Sequence, residues 1–258
     1  MKVSHIVSYL GALAGSLSTI TGSAQAASFT PFLFQTHWSG NPPQGDVLLN
    51  AVTIDGKTVS DFATVTDASI LYNPPYTGGN SGAASSDHGD QTTLQALAPE
   101  GPMVEDPTDA DVVASLGNLN LNSIIDTEDK GTATLKVGFG QAQNHFLFWE
   151  RGLNSDLQVE ALDDAGTVLA SFTITRDLWE NAGFQINTTE IANTQSVGAL
   201  GLKLDGAGAS WLQLSSNATS KGPDYKVVAA QVPEPATVIG LGIVAGALTL
   251  TRRRQCPQ

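Results

Sequence analysis

The sequence predicts an all-β fold, an antiparallel, jelly-roll-like β-sandwich with one or two short helices, followed by a C-terminal transmembrane helix. Three observations carry this. Many short β-branched or alternating runs are separated by Gly, Asn and Asp turns. The sequence shows no internal repeat and no coiled-coil heptad. The last apolar run, Ala236 to Thr251, is uninterrupted by charge and is followed at once by three arginines.

Taken along the chain, the predicted strands are Asp46–Ile54, Ala63–Tyr72, Thr132–Phe139, His145–Glu150, Asp156–Leu162, Val168–Thr175, Val197–Leu204, Ser210–Leu214 and Tyr225–Ala229. Thr134, Lys136 and Gly138 alternate with Leu135, Val137 and Phe139, as in a strand with one face buried. Asp163-Asp164-Ala165-Gly166 is a hairpin turn joining two of these runs. Thr108-Asp109-Ala110-Asp111 before Val112-Val113-Ala114 has the start of a capping box, so a short helix is expected there. Asn73 to Asp90, rich in Pro, Gly, Ser and Asn, is expected to be a long surface loop.

Composition narrows the function classes. The chain has 258 residues with 25 acidic and 12 basic side chains, a net charge of −13. Such a balance does not attract phosphates, so nucleic acid is not an expected partner. The one cysteine, Cys256, lies in the tail, so the central domain has neither a disulfide nor a thiol nucleophile.

Both ends read as targeting segments. Residues 1–26 form a signal peptide: Lys2, an apolar run from Ile6 to Ile20, then Ala24-Gln25-Ala26, the small-x-small pattern read by signal peptidase, which would leave Ala27 as the new N-terminus. The segment 231–258 contains Val232-Pro233-Glu234-Pro235, the apolar run 236–251, and Arg252-Arg253-Arg254. As a helix the 16-residue run spans about 24 Å at 1.5 Å per residue, slightly short of a bilayer core of ~30 Å. The arginines act as a basic stop on the cytoplasmic side. Two prolines keep the segment before it extended, and Glu234 keeps it out of the bilayer. All 25 acidic side chains but only eight basic ones lie between residues 27 and 235, so the exported part carries about −17.

The order Pro-Glu-Pro, apolar helix, basic cluster resembles the PEP-CTERM sorting signal. The resemblance covers Val232 to Arg254 and implies processing by exosortase, a membrane enzyme of exopolysaccharide-producing Gram-negative bacteria. A second resemblance rests on Phe148-Trp149-Glu150-Arg151-Gly152-Leu153-Asn154-Ser155-Asp156 and on Gly222-Pro223-Asp224-Tyr225-Lys226-Val227. These look like motifs of an exosortase-dependent surface protein family found mainly in cyanobacteria. It covers most of residues 28–230, within the β-sandwich domain expected over 27–230, implies a secreted β-rich surface protein and transfers no catalytic residue.

Candidate chemistry within the domain is sparse. Glu150, Asp156 and Glu160 lie within eleven residues, and paired carboxylates at ~5–5.5 or ~6.5–9.5 Å serve glycoside hydrolysis. Asn154-Ser155-Asp156 is also ordinary turn chemistry. His37, His88 and His145 show no metal-ligand spacing. Glu105, Asp106, Asp109 and Asp111, and Asp126, Glu128 and Asp129, are acidic clusters that fit no EF-hand, which leaves a structural calcium as an open expectation and no other cofactor. Of four tryptophans, Trp149 and Trp211 sit in strand patterns and are expected in the core. Trp38 and Trp179, beside Gly and Asn turns, are the candidates to stack on sugar rings.

The residues therefore point first to a non-enzymatic surface or extracellular-matrix protein. It would be exported, held at the inner membrane by its tail, and processed by exosortase on the way to the cell surface. The alternative is a carbohydrate-binding module that retains exopolysaccharide, and a third reading is a glycoside hydrolase.

Overall fold

The computed structural model describes residues 27–43, 46–75, 84–87, 103–104, 106–187 and 194–232. The expected signal peptide, the transmembrane run 236–251, Pro233 to Pro235 and the arginines 252–254 lie outside them. No helix among the described residues is long and apolar enough to cross a membrane.

In chain order the strands are β1 (Phe29–Phe32), β2 (Gln35–Gly40), β3 (Val47–Ile54), β4 (Lys57–Val59), β5 (Phe62–Ala63), β6 (Asp67–Tyr72), β7 (Ala84–Asp87) and β8 (Met103–Val104). The helix α1 (Asp109–Leu116) follows. Then come β9 (Ile124–Thr127), β10 (Ala133–Gln143), β11 (His145–Arg151), β12 (Leu157–Leu162) and β13 (Val168–Ile174). A one-turn 3-10 helix, Arg176–Leu178, leads to β14 (Glu180–Ile186), β15 (Gln195–Leu204), β16 (Ala209–Ser216) and β17 (Tyr225–Ala230).

Strand pairing is antiparallel throughout the described residues, as the residue pattern predicts. The layering is richer than a two-sheet sandwich. A nine-stranded sheet has the path β1-β15-β11-β17-β9-β7-β8, with β14 also on β15 and β5 also on β17. A five-stranded sheet, β13-β12-β16-β10-β6, covers one of its faces, and a three-stranded sheet, β2-β3-β4, covers the other. The large sheet is therefore the middle layer.

Residue chemistry explains why. In β11 all seven residues are buried, and in β17 all six. Phe146, Phe148, Tyr225 and Val227 face the five-stranded sheet, where they meet Leu135, Val137, Val159 and Leu212. Leu147, Trp149 and Val228 face the other way, against Val47, Leu49 and Val52 of β3. A continuous apolar strand is what burial on both faces requires, and each such side chain contributes ~1.5–3 kcal/mol. The Trp149 indole N–H donates to the Thr36 hydroxyl at 3.0 Å, which ties β2 to the middle sheet.

The local expectations hold at α1 and at the hairpin. Thr108 accepts from the Asp111 backbone N–H, and the Asp111 carboxylate accepts from the Thr108 N–H at 2.8 Å, a complete capping box. Asp163 accepts from the Thr167 N–H at 2.8 Å in the turn between β12 and β13. The expected loop 73–90 is corrected in part: Ala84–Asp87 pairs with β9 and β8. Backbone pairing there needs no apolar side chains, which is why composition alone misses it.

Candidate functional site

The two central segments 148–156 and 222–227, over 60 residues apart, become neighbours because β11 pairs antiparallel with β17, with Glu150 opposite Tyr225 and His145 opposite Ala230. This pair has two polar ends of opposite character.

At the first end, Arg151 sits beneath the surface with its side chain fully buried. Its Nε and Nη2 both donate to one oxygen of Asp224, at 3.0 and 2.6 Å, and Nη2 also reaches Asp126 at 3.3 Å. Asp224 additionally accepts from the Thr127 N–H at 3.3 Å. Gly222 makes this approach feasible: it has φ +56°, and a Cβ there would collide with the Thr127 carbonyl. Lys226, two residues on, is fully buried and donates through Nζ to the Ser115 carbonyl at 2.6 Å and to Asn118 Oδ1 at 3.1 Å. An amine on the last carbonyls of α1 satisfies groups that helix geometry leaves unpaired.

Glu150 lies on the opposite face of the sheet and is also fully buried. One carboxylate oxygen accepts from the Leu153 N–H at 2.6 Å, and the other has no hydrogen-bond partner. This holds the turn Gly152-Leu153, in which Leu153 adopts a left-handed φ of 56°. Burial, reinforced by the nearby Asp224 charge, pushes the Glu150 carboxyl well above its usual range. Burial also raises Asp224, against the opposing pull of Arg151, and it drives the Lys226 amine well below the usual lysine range. All of these groups are desolvated; Arg151, Asp224 and Asp126 turn onto one another, Lys226 onto the end of α1 and Glu150 onto the turn that follows it.

The other end of β11 and β17 is open. A hollow of about 420 Å³ is lined by Asp61, Gln141 to His145, and Ala230 to Val232. Asp61 is placed by the pairing of β5 with the end of β17, and its carbonyl accepts from the Gln231 N–H at 3.0 Å. The register between β10 and β16 shifts between Gly138 and Gln143, a bulge that re-aims the end of β10. Asn144 is fixed through Nδ2 to the carbonyls of Leu204 and Gly206, at 3.1 and 3.0 Å. His145 packs edge-on against Phe32 with ring centroids 5.8 Å apart. Gln143 is only 5% exposed, and its Nε2 is buried with no hydrogen-bond partner.

The residues singled out from sequence are distributed unevenly. Glu150 and Asp156 are engaged separately: Asp156 forms a two-pronged ion pair with Arg176, at 3.0 Å to Nε and 2.7 Å to Nη2. Trp179 is not exposed. It is 6% accessible and donates its indole N–H to the Ser155 carbonyl at 2.8 Å. Gly198 on β15 explains this, because the Trp179 side chain occupies the space a Cβ would need. Trp38 is half-buried against Phe184, ring centroids 5.7 Å apart. Trp211, expected in the core, instead lies half-buried on the outer face of the five-stranded sheet, stacked over Gly138 with the Lys136 Nζ 4.3 Å from its ring centroid. Its neighbours Leu212 and Leu214 take the inward positions.

Val232 lines the hollow, while Pro233, Glu234 and Pro235 lie outside the described residues, as do Ala24, Ala26, His88 and Glu105. Asp109 and Asp111 of the first acidic cluster are held locally, by the Ile70 N–H at 2.7 Å and by the capping box. Among the described residues, no group of three or more His, Cys, Asp and Glu side chains is placed to hold a metal ion. Sequence reading had no hold on Gln143, Asp61 or Gln231. The signal it offered was a polar run, Gln141-Ala142-Gln143-Asn144, at the junction of two strands.

No family model matches this chain. No curated protein matches it either. A solved structure that it resembles is a histidine mutant of the lectin binding domain of lectinolysin complexed with Lewis b. The identity is 15%, over 43% of this chain and 73% of that one, with a TM-score of 0.27. A likeness of that size carries no argument about fold or ligand.

Proposed function

We propose that the chain is a non-enzymatic, exported surface or extracellular-matrix protein, handled first by signal peptidase and then by an exosortase system that processes it near Val232 to Pro235. One observation supports the non-enzymatic part most: Arg151 and Asp224 turn inward onto each other, Lys226 onto α1 and Glu150 onto the Leu153 N–H, as a lock on the fold rather than a set of groups converging on a substrate. The sorting part draws on residues 232–254. Val232 follows β17 directly at the rim of the middle sheet, with Gln231 held to Asp61. A separate reading, a carbohydrate-binding module that retains exopolysaccharide, is favoured by the polar hollow at the open end.

The test is expression of the full chain in hosts with and without an exosortase, followed by intact mass. The expected result is loss of the tail only where the enzyme is present. The same tail-bearing mass in both hosts would overturn the processing step.

A further inference from the structure

We propose that the hollow at the open end of β11 and β17, floored by Gln143 and His145 and rimmed by Asp61, Gln141 and Gln231, binds one unit of a neutral saccharide. This rests on the carbohydrate-binding reading and assigns it a place.

Size comes first. About 420 Å³ falls within the ~300–1,000 Å³ range of small-molecule sites. Chemistry comes second. Three glutamines stand around one hollow, beside an Asn144 whose Nδ2 is already committed to Leu204 and Gly206, and an amide offers a donor and an acceptor on one plane. A sugar hydroxyl is likewise donor and acceptor, so adjacent hydroxyls match amides better than a purely anionic or cationic group does. Ala142, Ala230 and Val232 supply small apolar contact for the C–H face of a ring.

Charge excludes the other classes. The lining contains no lysine or arginine, and the exported part carries about −17, so phosphates and uronates are repelled. A metal is disfavoured because the lining holds one carboxylate and one imidazole, fewer than the usual ligand set.

The unpartnered amide of Gln143 is the second, independent observation. Buried polar groups are nearly always hydrogen-bonded. Gln143 lines the hollow and is 5% exposed, and its buried Nε2 has no partner, so a ligand that draws this amide toward the hollow would supply the hydrogen bond it lacks. Trp38 and Trp179 are not among the lining residues, so the site differs from the two tryptophans the sequence suggests.

The experiment is calorimetric titration of the full chain in detergent with glucose, galactose, mannose, dextran, galactomannan and polygalacturonate. At least one neutral probe is expected to bind saturably, and polygalacturonate is not. Gln143→Ala should weaken binding about tenfold, the equivalent of one good hydrogen bond. Asp61→Asn, at an exposed rim position that leaves the fold intact, should weaken it too. Trp211→Ala, outside the lining residues, should not. Absence of binding to every neutral probe overturns both this site and the carbohydrate-binding reading. Neutral binding that survives Gln143→Ala and Asp61→Asn but is lost in Trp38→Ala overturns the site alone. Preferential binding of polygalacturonate overturns the ligand class.

Discussion

The two ends of the β11–β17 pair are built from the same strands and differ in what their polar groups face. At the closed end, Arg151, Asp224, Asp126 and Lys226 are buried and bonded to the protein. At the open end, residues bearing amides, one carboxylate and one imidazole line a hollow, and the buried Nε2 of Gln143 has no partner. Arg151 and its two carboxylates satisfy one another beneath the surface, so they serve as a lock. Neutral amides tolerate an unfilled site at a smaller cost, so they suit a place where a ligand comes and goes. The difference teaches that the most conspicuous charged motif of a domain need not be its working surface.

The largest effect should come from breaking the lock. Arg151→Met removes the guanidinium between Asp224 and Asp126 and leaves buried carboxylates without it. A loss of about 3–5 kcal/mol is expected, read as the shift in urea unfolding. Arg151→Lys should recover only part of this, because an ammonium cannot donate from both Nε and Nη2 to Asp224. If Arg151→Met were as stable as the parent, the closed end would not be a lock.

Glu150→Gln tests the same end with the opposite sign. The folded state holds the Glu150 proton to higher pH than the unfolded chain does. Its contribution is therefore complete below the unfolded carboxyl pKa of about 4.3 and is lost as pH rises toward the folded value. Glutamine cannot ionise, so the variant should gain on the parent as pH rises. A gain of about 1–3 kcal/mol at mildly alkaline pH matches relief of one poorly solvated carboxylate. Unfolding curves across pH that run parallel for both proteins would show that Glu150 does not titrate with folding.

How much of this was legible follows from where each determinant lies. The nine strands marked by β-branched alternation are all present, because their signal is local. The all-buried run Phe146-Leu147-Phe148-Trp149 contains the evidence for a third layer, but reading it requires knowing what covers the second face, and that is β3, about 100 residues earlier. The strand Glu180–Ile186 reads as polar because four of its seven residues are exposed; among the described residues it pairs with one strand, β15. Burial of Trp179 depends on Gly198, on a different strand, so the flanking Asn and Gly residues point the wrong way. The segments around Glu150 and Asp224 are recognisable as motifs, yet their charge pairing exists only once β11 meets β17. Gln143 carries no sequence mark at all beyond polarity, since its significance is the absence of a partner.

At the open end the expected effect on stability is smaller and favourable. Gln143→Met keeps the length of the side chain and removes the unpartnered amide, so the chain should gain up to about 1 kcal/mol while the saccharide response falls. A gain in stability coupled to loss of the saccharide response is what separates this end from the lock. Destabilisation by Gln143→Met would mean that the amide already supports the fold.

The smallest effect should come from Asp156, which separates burial from charge as the cause of the contrast. Asp156 lies at the closed end and meets Arg176 in good two-pronged geometry, yet the two side chains remain 26% and 34% accessible. The Arg176 hydrogen bond lowers the Asp156 carboxyl, so this pair contributes above the unfolded pKa of about 3.9 and its contribution is lost as pH falls, opposite in sign to Glu150. Asp156→Asn keeps an oxygen for the Arg176 N–H, which Asp156 accepts at 2.8 Å, so only the charge is removed. Its midpoint shift should be the least of the four and should vanish near 1 M salt, where the screening length is about 3 Å. The Arg151→Met shift should persist at that ionic strength, since solvent ions do not reach a fully buried guanidinium. Equal salt sensitivity in both variants would place the two pairs in the same environment and remove burial as the reason the closed end acts as a lock.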